Sequence, residues 1–217
     1  SSRRRHTRLV SDWSSDVCSS DLCCGCPSRP AAYDPPDSRP RRSLSMQITA
    51  LPGSGYRLQT EFWAPQSIDQ VFGFFSDAFN LQELTPPFLN FRVLTPAPIA
   101  MQVGTVIDYQ IQLHRIPIRW KTLISAWEPQ SRFVDEQVRG PYRHWHHEHT
   151  FEVRNGGTLI RDVVHYGVPG TGIPGGSLIH NWLVKPDLQT IFQYRTARMQ
   201  ARFGGHDVEL GDVTPRG

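Results

Sequence analysis

From Arg139 to Val153 the chain reads RGPYRHWHHEHTFEV, opening on a Gly140-Pro141 turn and then alternating with the two-residue period of a β-strand. Trp145, His147, His149, Phe151 and Val153 share one face, and His144, His146, Glu148, Thr150 and Glu152 share the other. The second face is wholly polar and is expected to meet water. The first begins with Trp and ends with Phe and Val, so it is expected to face a core or cavity. Two histidines then stand between aromatic walls.

The same patterning predicts the other elements. YRLQTEFW, from Tyr56, sets Leu58, Thr60 and Phe62 against Arg57, Gln59 and Glu61, a strand closed by Ala64-Pro65. Ser67 reads as a helix N-cap, with Ile68, Val71, Phe72 and Phe75 on an apolar stripe. Asn80 to Leu84 predicts a second short helix, stopped by Thr85-Pro86-Pro87. Strands follow at Phe88 to Thr95, at Gly104 to Leu113 (Thr105, Ile107, Tyr109, Ile111 and Leu113 inward), at Ile116 to Trp127 (Ile118, Trp120, Thr122 and Ile124 inward) and at Arg132 to Val138. His114 to Pro117 makes one hairpin turn, and Asn155-Gly156-Gly157 makes the turn into the last strand, Thr158 to Val168. Val168 to Gly176 is a Gly/Pro-rich loop, either a plain connection or a gate over a cavity; no Gly-Lys-Ser/Thr follows, so it is not a phosphate loop. The longest helix is predicted over Lys185 to Phe203, where Leu188, Ile191, Phe192, Met199 and Phe203 recur at helical spacing and Arg195 interrupts the stripe. The tail from Gly204 is expected to be disordered. One strand, two short helices, about six antiparallel strands and one long helix give an α+β chain, a curved sheet wrapped around the C-terminal helix with room for a cavity between them.

Composition changes the picture at the N-terminus. Residues 1–22 have neither helical nor strand period, and Ser2 to Arg8 with Asp12 to Leu22 is similar to a translated sequencing-library adapter. Cys23 to Ser45 is rich in Pro and Arg. Residues 1–45 are therefore expected to be a disordered, artefactual leader, Met46 the natural start, and 46–217 a single domain with an ordered core of about 56–203. The leader holds 8 of the 23 Lys and Arg and 5 of the 20 Asp and Glu, which leaves 15 of each sign after residue 45. The basic balance belongs to the leader, so no nucleic-acid partner is expected. All four cysteines, Cys18, Cys23, Cys24 and Cys26, lie there too, without a second Cys or His pair at zinc-finger spacing. No apolar run reaches the roughly 18 residues of a membrane span, so stable membrane insertion is not expected. A cytoplasmic protein is expected.

The order of elements and one set of motifs resemble a family. Gly140-Pro141-Tyr142, then Trp145, His147, His149 and Phe151, then Gly157-Thr158, Asp162, Val164, Tyr166 and Pro169 are similar to a bacterial subgroup of the START-like helix-grip superfamily, also called SRPBCC. That superfamily includes polyketide cyclases, coenzyme-Q-binding proteins and pollen-allergen-like carriers. The resemblance covers about Tyr56 to Phe203 and implies the helix-grip fold; it constrains fold far more than activity.

Candidate chemistry sits on the inner faces. His147 and His149 can hydrogen-bond Asp162, Asp135 or a backbone carbonyl, or can meet a ligand head group. Two histidines at this spacing bind zinc only with a third ligand, for which Asp162 is better placed than His165 or His114; no metal and no cofactor are expected. Asp162 needs a partner if buried, and a His–Asp pair can act as a general base. Arg195 reads either as a snorkelling side chain or as an anchor for a ligand anion. The expected function is binding of a hydrophobic or amphipathic small molecule (lipid, quinone, polyketide-like or aromatic) by Tyr109, Trp120, Trp145, His147, His149, Phe151, Asp162, Tyr166 and Arg195. Two alternatives stand beside it. One is a cyclase/aromatase or hydrolase-like enzyme with His147, His149 and Asp162 as catalytic candidates, and the other is an accessory interaction module for a neighbouring enzyme. Oligomeric state is left open.

Overall fold

Pro65 and Ser67 turn the chain from its first long strand into a helix. In the computed structural model, which describes residues 46–53, 55–169 and 176–210, β2 (Gly55–Ala64) leads into α1 (Ile68–Phe75) through a full capping box. The Ser67 hydroxyl accepts from the Gln70 amide, and the Gln70 side chain accepts from the Ser67 amide. Ser67→Ala is expected to lower stability by about 1 kcal/mol, read as a shifted urea midpoint with unchanged slope. The helix buries Val71, Phe72, Phe74 and Phe75.

The remaining strands follow their alternation. β4 (Val106–Leu113), β5 (Ile116–Glu128), β6 (Arg132–Arg139), β7 (His144–Arg154) and β8 (Gly157–Gly167) form successive antiparallel hairpins. The β4–β5 turn puts His114 and Arg115 at positive φ, and Asn155 and Gly156 do the same in the β7–β8 turn. β1 (Met46–Leu51) and β3 (Arg92–Val93) border the sheet, whose order is β1-β2-β8-β7-β6-β5-β4-β3, and β9 (His206–Asp207) adds to β2. A short helix α2 (Gly176–Ile179) and a π turn (His180–Val184) feed α3 (Lys185–Phe203). α3 buries Leu188, Phe192, Arg195, Met199 and Phe203. Leu188 and Phe192 pack with Leu58, Val164 and Tyr166; Met199 and Phe203 pack with Phe62, Ile160, Phe151 and the α1 phenylalanines. A third cluster, Phe91, Ile107, Tyr109 and Ile124, fills the β4–β5 end. The chain thus has the expected helix-grip architecture.

Five local expectations are corrected. A strand, β1, precedes Tyr56 and pairs with β2. The strand expected over Phe88 to Thr95 shrinks to Arg92–Val93, because Pro87–Leu89 forms a 3₁₀ turn and Asn90 takes a left-handed conformation at φ 42°. The second short helix is a 3₁₀ turn, Ala78–Gln82. The start of the expected disordered tail carries β9. Val153, expected inward, is 67% exposed, since β6 pairs with β7 only as far as Thr150. The adapter-like leader, the centre of the Gly/Pro loop (170–175) and residues 211–217 lie outside the described residues.

Candidate functional site

Strand register brings the polar inner residues together. β7 lies between β6 and β8, with His147 opposite Asp135 and His149 opposite Asp162. Directly opposed side chains on one face stand within contact range. His149 Nδ1 is 2.6 Å from Asp162 Oδ1, and its Nε2 is 3.2 Å from Asp135 Oδ2. His147 Nδ1 is 3.5 Å from Asp135 Oδ2. Its Nε2 is 3.5 Å from Asp162 Oδ1, has no hydrogen-bond partner and is buried. From α3, Arg195 Nε reaches 3.0 Å from Asp162 Oδ2, an ion pair whose N–H is not aligned on the oxygen.

The rings around this cluster are apolar. His149 is stacked between Phe133, at 4.2 Å between centroids, and the tilted His147 ring at 3.8 Å. Phe75 packs at 5.2 Å from the Arg195 guanidinium. Burial is the largest influence on each ionisable group. For Asp162 it raises the pKa, but Arg195 and His149 outweigh it and hold the carboxyl well below its usual range. Asp135 is likewise held low, by the two histidines and Arg195 acting against burial. Burial depresses His147, and the charge on His149 depresses it further. His149 goes the other way, because the Asp162 and Asp135 carboxylates overcome its burial. Arg195, and His149 with its pKa pushed up by the two carboxylates, set positive charge against Asp135 and Asp162, which a dry site requires.

The cluster closes one end of a cavity of about 200 Å³. The sheet side is made by Ile107, Tyr109, Trp120, Thr122 and Ile124, the roof by Phe74, Phe75 and Leu84, and the helix side by Leu188, Ile191, Phe192 and Arg195. Near α3's first turn, the β4–β5 turn is fastened by His114 Nε2 to Asp187 Oδ2 at 2.9 Å. Of the residues expected from sequence, Tyr109, Trp120, Trp145, His147, His149 and Arg195 line this space. Asp162, Phe151 and Tyr166 stand behind the lining: Asp162 under the histidines, Phe151 in the α1 core, and Tyr166 with its hydroxyl 2.9 Å from His180 Nε2.

Sequence reasoning gave Asp135 only a side role, and it joins both histidines. It named Tyr142 in a motif but not among the lining residues. The Gln137 side chain donates to the Tyr142 carbonyl at 2.7 Å and accepts from its amide at 3.2 Å, which sets the ring against Trp120 and Trp145. A Cβ on Gly140 would meet Gln137 Oε1 at 2.2 Å and would push the Gln137 side chain off Tyr142. His180, stacked on Tyr56, lies in the π turn, where no periodicity signals an inward side chain.

No family model matches the chain, and no curated protein matches it in sequence. Among solved structures it is similar to protein Ms6760 from Mycobacterium smegmatis, with 13% identity and a TM-score of 0.51 over 72% of this chain and 95% of that one. Protein CV1439 from Chromobacterium violaceum matches with 15% identity and a TM-score of 0.51 over 68% of this chain and 97% of that one. Among the described residues no helix is long and apolar enough to cross a membrane. At these identities the likeness is one of fold: a curved antiparallel sheet gripping a long C-terminal helix, in an α+β chain.

Proposed function

We propose that this chain binds a compact hydrophobic or amphipathic small molecule between the sheet and α3. The observation that carries this is the cavity itself, apolar along its walls and polar at one end, where Asp135, His147, His149 and Arg195 converge. Its volume of about 200 Å³ narrows the class. An apolar cavity of roughly 150 Å³ accepts benzene, and drug-sized ligands need about 300–1,000 Å³. One or two fused rings with a hydroxyl or carbonyl end fit; a long-tailed lipid or quinone does not fit without widening. Arg195 already faces Asp162, so the polar end suits a neutral hydrogen-bonding group better than a carboxylate. The resemblance to START-like domains supports the same reading.

A naphthol, followed by its own fluorescence, tests this. One saturable site is expected, and Thr122→Phe, which puts a ring into the cavity from a position 2% exposed, is expected to weaken it more than about tenfold at a stability cost of about 1–3 kcal/mol. Equal binding by wild type and Thr122→Phe would place the naphthol elsewhere and sink the proposal. The enzyme alternative gains one specific observation. His149 holds carboxylates at 2.6 and 3.2 Å with its two ring nitrogens, whereas both nitrogens of His147 stand at 3.5 Å from theirs, so His147 is the less firmly held ring and the acid/base candidate. Turnover lost in His147→Gln with binding retained would identify that case.

A further inference from the structure

We propose that Asp135, His147 and His149 form a binding site for a divalent first-row transition ion at the polar end of the cavity. Their ligand atoms lie within 4.8 Å of one another. Asp135 Oδ2 is 3.2 Å from His149 Nε2 and 3.5 Å from His147 Nδ1. Two metal–ligand bonds of about 2.1 Å at a tetrahedral angle set their donor atoms about 3.4 Å apart, so both spacings from Asp135 suit an ion shared with the histidines. Register, not chance approach, sets them: Asp135 and His147 are cross-strand partners, and His149 lies two residues along the same face.

The far nitrogen of His147 is consistent with this assignment. His147 is 6% exposed, and its Nε2 has no hydrogen-bond partner. If Nδ1 holds a metal, Nε2 must carry the proton, and that proton faces Asp162 Oδ1 at 3.5 Å. His149 then donates its own Nδ1–H to the same oxygen, at 2.6 Å. One carboxylate behind both imidazoles fixes the tautomers that leave the other nitrogens free for the ion. Arg195 holds the far oxygen of that carboxylate at 3.0 Å. Asp162, the best placed of the third-ligand candidates in the sequence, is therefore the supporting group, and Asp135 is the ligand.

Two imidazoles and one carboxylate suit zinc or ferrous iron rather than calcium or magnesium, which prefer oxygen ligands. Three protein ligands leave a coordination position free, as in sites that act on a substrate rather than brace a fold. All three residues line the cavity, so that position faces it. An ion there would take the hydroxyl or carbonyl end of a cavity ligand directly. The inference does not need the cavity ligand, since the three residues hold the ion by themselves.

The full chain, stripped with a chelator and dialysed without any hydrophobic ligand, is titrated with cobalt(II) and, separately, with zinc(II). One bound equivalent is expected, with visible d–d absorption for cobalt and X-ray absorption showing two imidazoles at the ion. Asp135→Asn and His147→Gln are each expected to weaken zinc at least as much as the roughly 10–100-fold cost of losing a supporting carboxylate. His144, His146 and His165 stand together on the outer face and are one competing explanation; the four cysteines are the other, and the imidazole count at the ion separates them. Combined substitution of these three histidines by Ala is expected to leave binding unchanged. Less than a tenth of an equivalent in wild type overturns the site, as does binding that disappears with the outer-face variant. Should the inner variants fail to fold, the wild-type cobalt spectrum and imidazole count decide. Naphthol titration of the metal-free chain runs alongside, so that a failed cavity and a failed metal site give different results.

Discussion

Asp162→Ala is expected to lower the unfolding free energy by about 3–5 kcal/mol, the cost of removing one partner from a buried ion pair. Asp162 is 1% exposed and Arg195 is 6% exposed. Without the carboxylate, the guanidinium stays buried beside His149, with Arg195 Nη2 3.4 Å from His149 Nδ1. The guanidinium then keeps its burial but has lost the carboxylate that stood 3.0 Å from its Nε. Arg195→Met is expected to cost a similar amount, because it leaves the buried Asp162 carboxylate without its guanidinium counter-charge. The discriminating variant is the double one. Replacing both charges by apolar groups removes the unpaired ion, so Asp162→Ala with Arg195→Met is expected to cost less than the sum of the singles by about 1–3 kcal/mol. For a domain of this size each single corresponds to a fall in melting temperature on the order of 10 °C. Urea denaturation of the four proteins measures the cycle. Additive losses would mean that Asp162 and Arg195 act through separate neighbours, and the charge balance drawn for the cluster would fail.

The elements of this cluster were legible in sequence, and its assembly was not. Alternation at Trp145, His147, His149 and Phe151 predicts which face turns inward, and those four do so. Helical spacing also marks Arg195 as the one charge on a buried stripe. Alternation says nothing about which strand lies beside which, or at what offset. Asp135 meets both histidines only because β6 pairs Glu136 with His146 and Arg132 with Thr150, after two register shifts against β5. The displacement of Asp162 from lining to support has the same origin. It faces inward as expected, but His149 directly opposite and His147 beyond it cover it from the cavity. β1 escaped notice because, as a sheet edge, it buries no residue fully and shows no clean alternation. The strand expected at Phe88 failed on backbone chemistry. Pro86-Pro87 favours a turn entry, and left-handed Asn90 breaks the extended run that its apolar neighbours suggest. Cavity volume has no sequence signature at all, since it is what remains after every side chain has found its place.

Phe75→Ala is expected to cost about 3–5 kcal/mol and, unlike other core truncations of that size, to change what the chain binds. Phe75 ends α1 and belongs to two environments at once. On one side it meets Phe151 edge-on at 5.3 Å and stacks on Phe203 at 6.5 Å. On the other it lines the cavity and carries the Arg195 guanidinium on its face. Truncation joins the volume of a phenyl ring to the existing space and removes a cation–π contact of about 0.5–2 kcal/mol. Phe72 is the control. It is equally deep in the α1 core, edge-on to Phe151 at 5.2 Å, and it does not line the cavity. Phe72→Ala is therefore expected to lose as much stability while its hole stays sealed off. A three-ring hydroxyanthracene, too large for about 200 Å³, separates the two. It is expected to bind Phe75→Ala and to return about 2.7 kcal/mol at a hundredfold excess over its dissociation constant. It is expected to leave wild type and Phe72→Ala where they were. Urea midpoints with and without the ligand measure this. Equal recovery in both variants, or none in either, would mean that the space beside Phe75 is not continuous with a binding cavity, and the volume argument for a one- or two-ring ligand would fall with it.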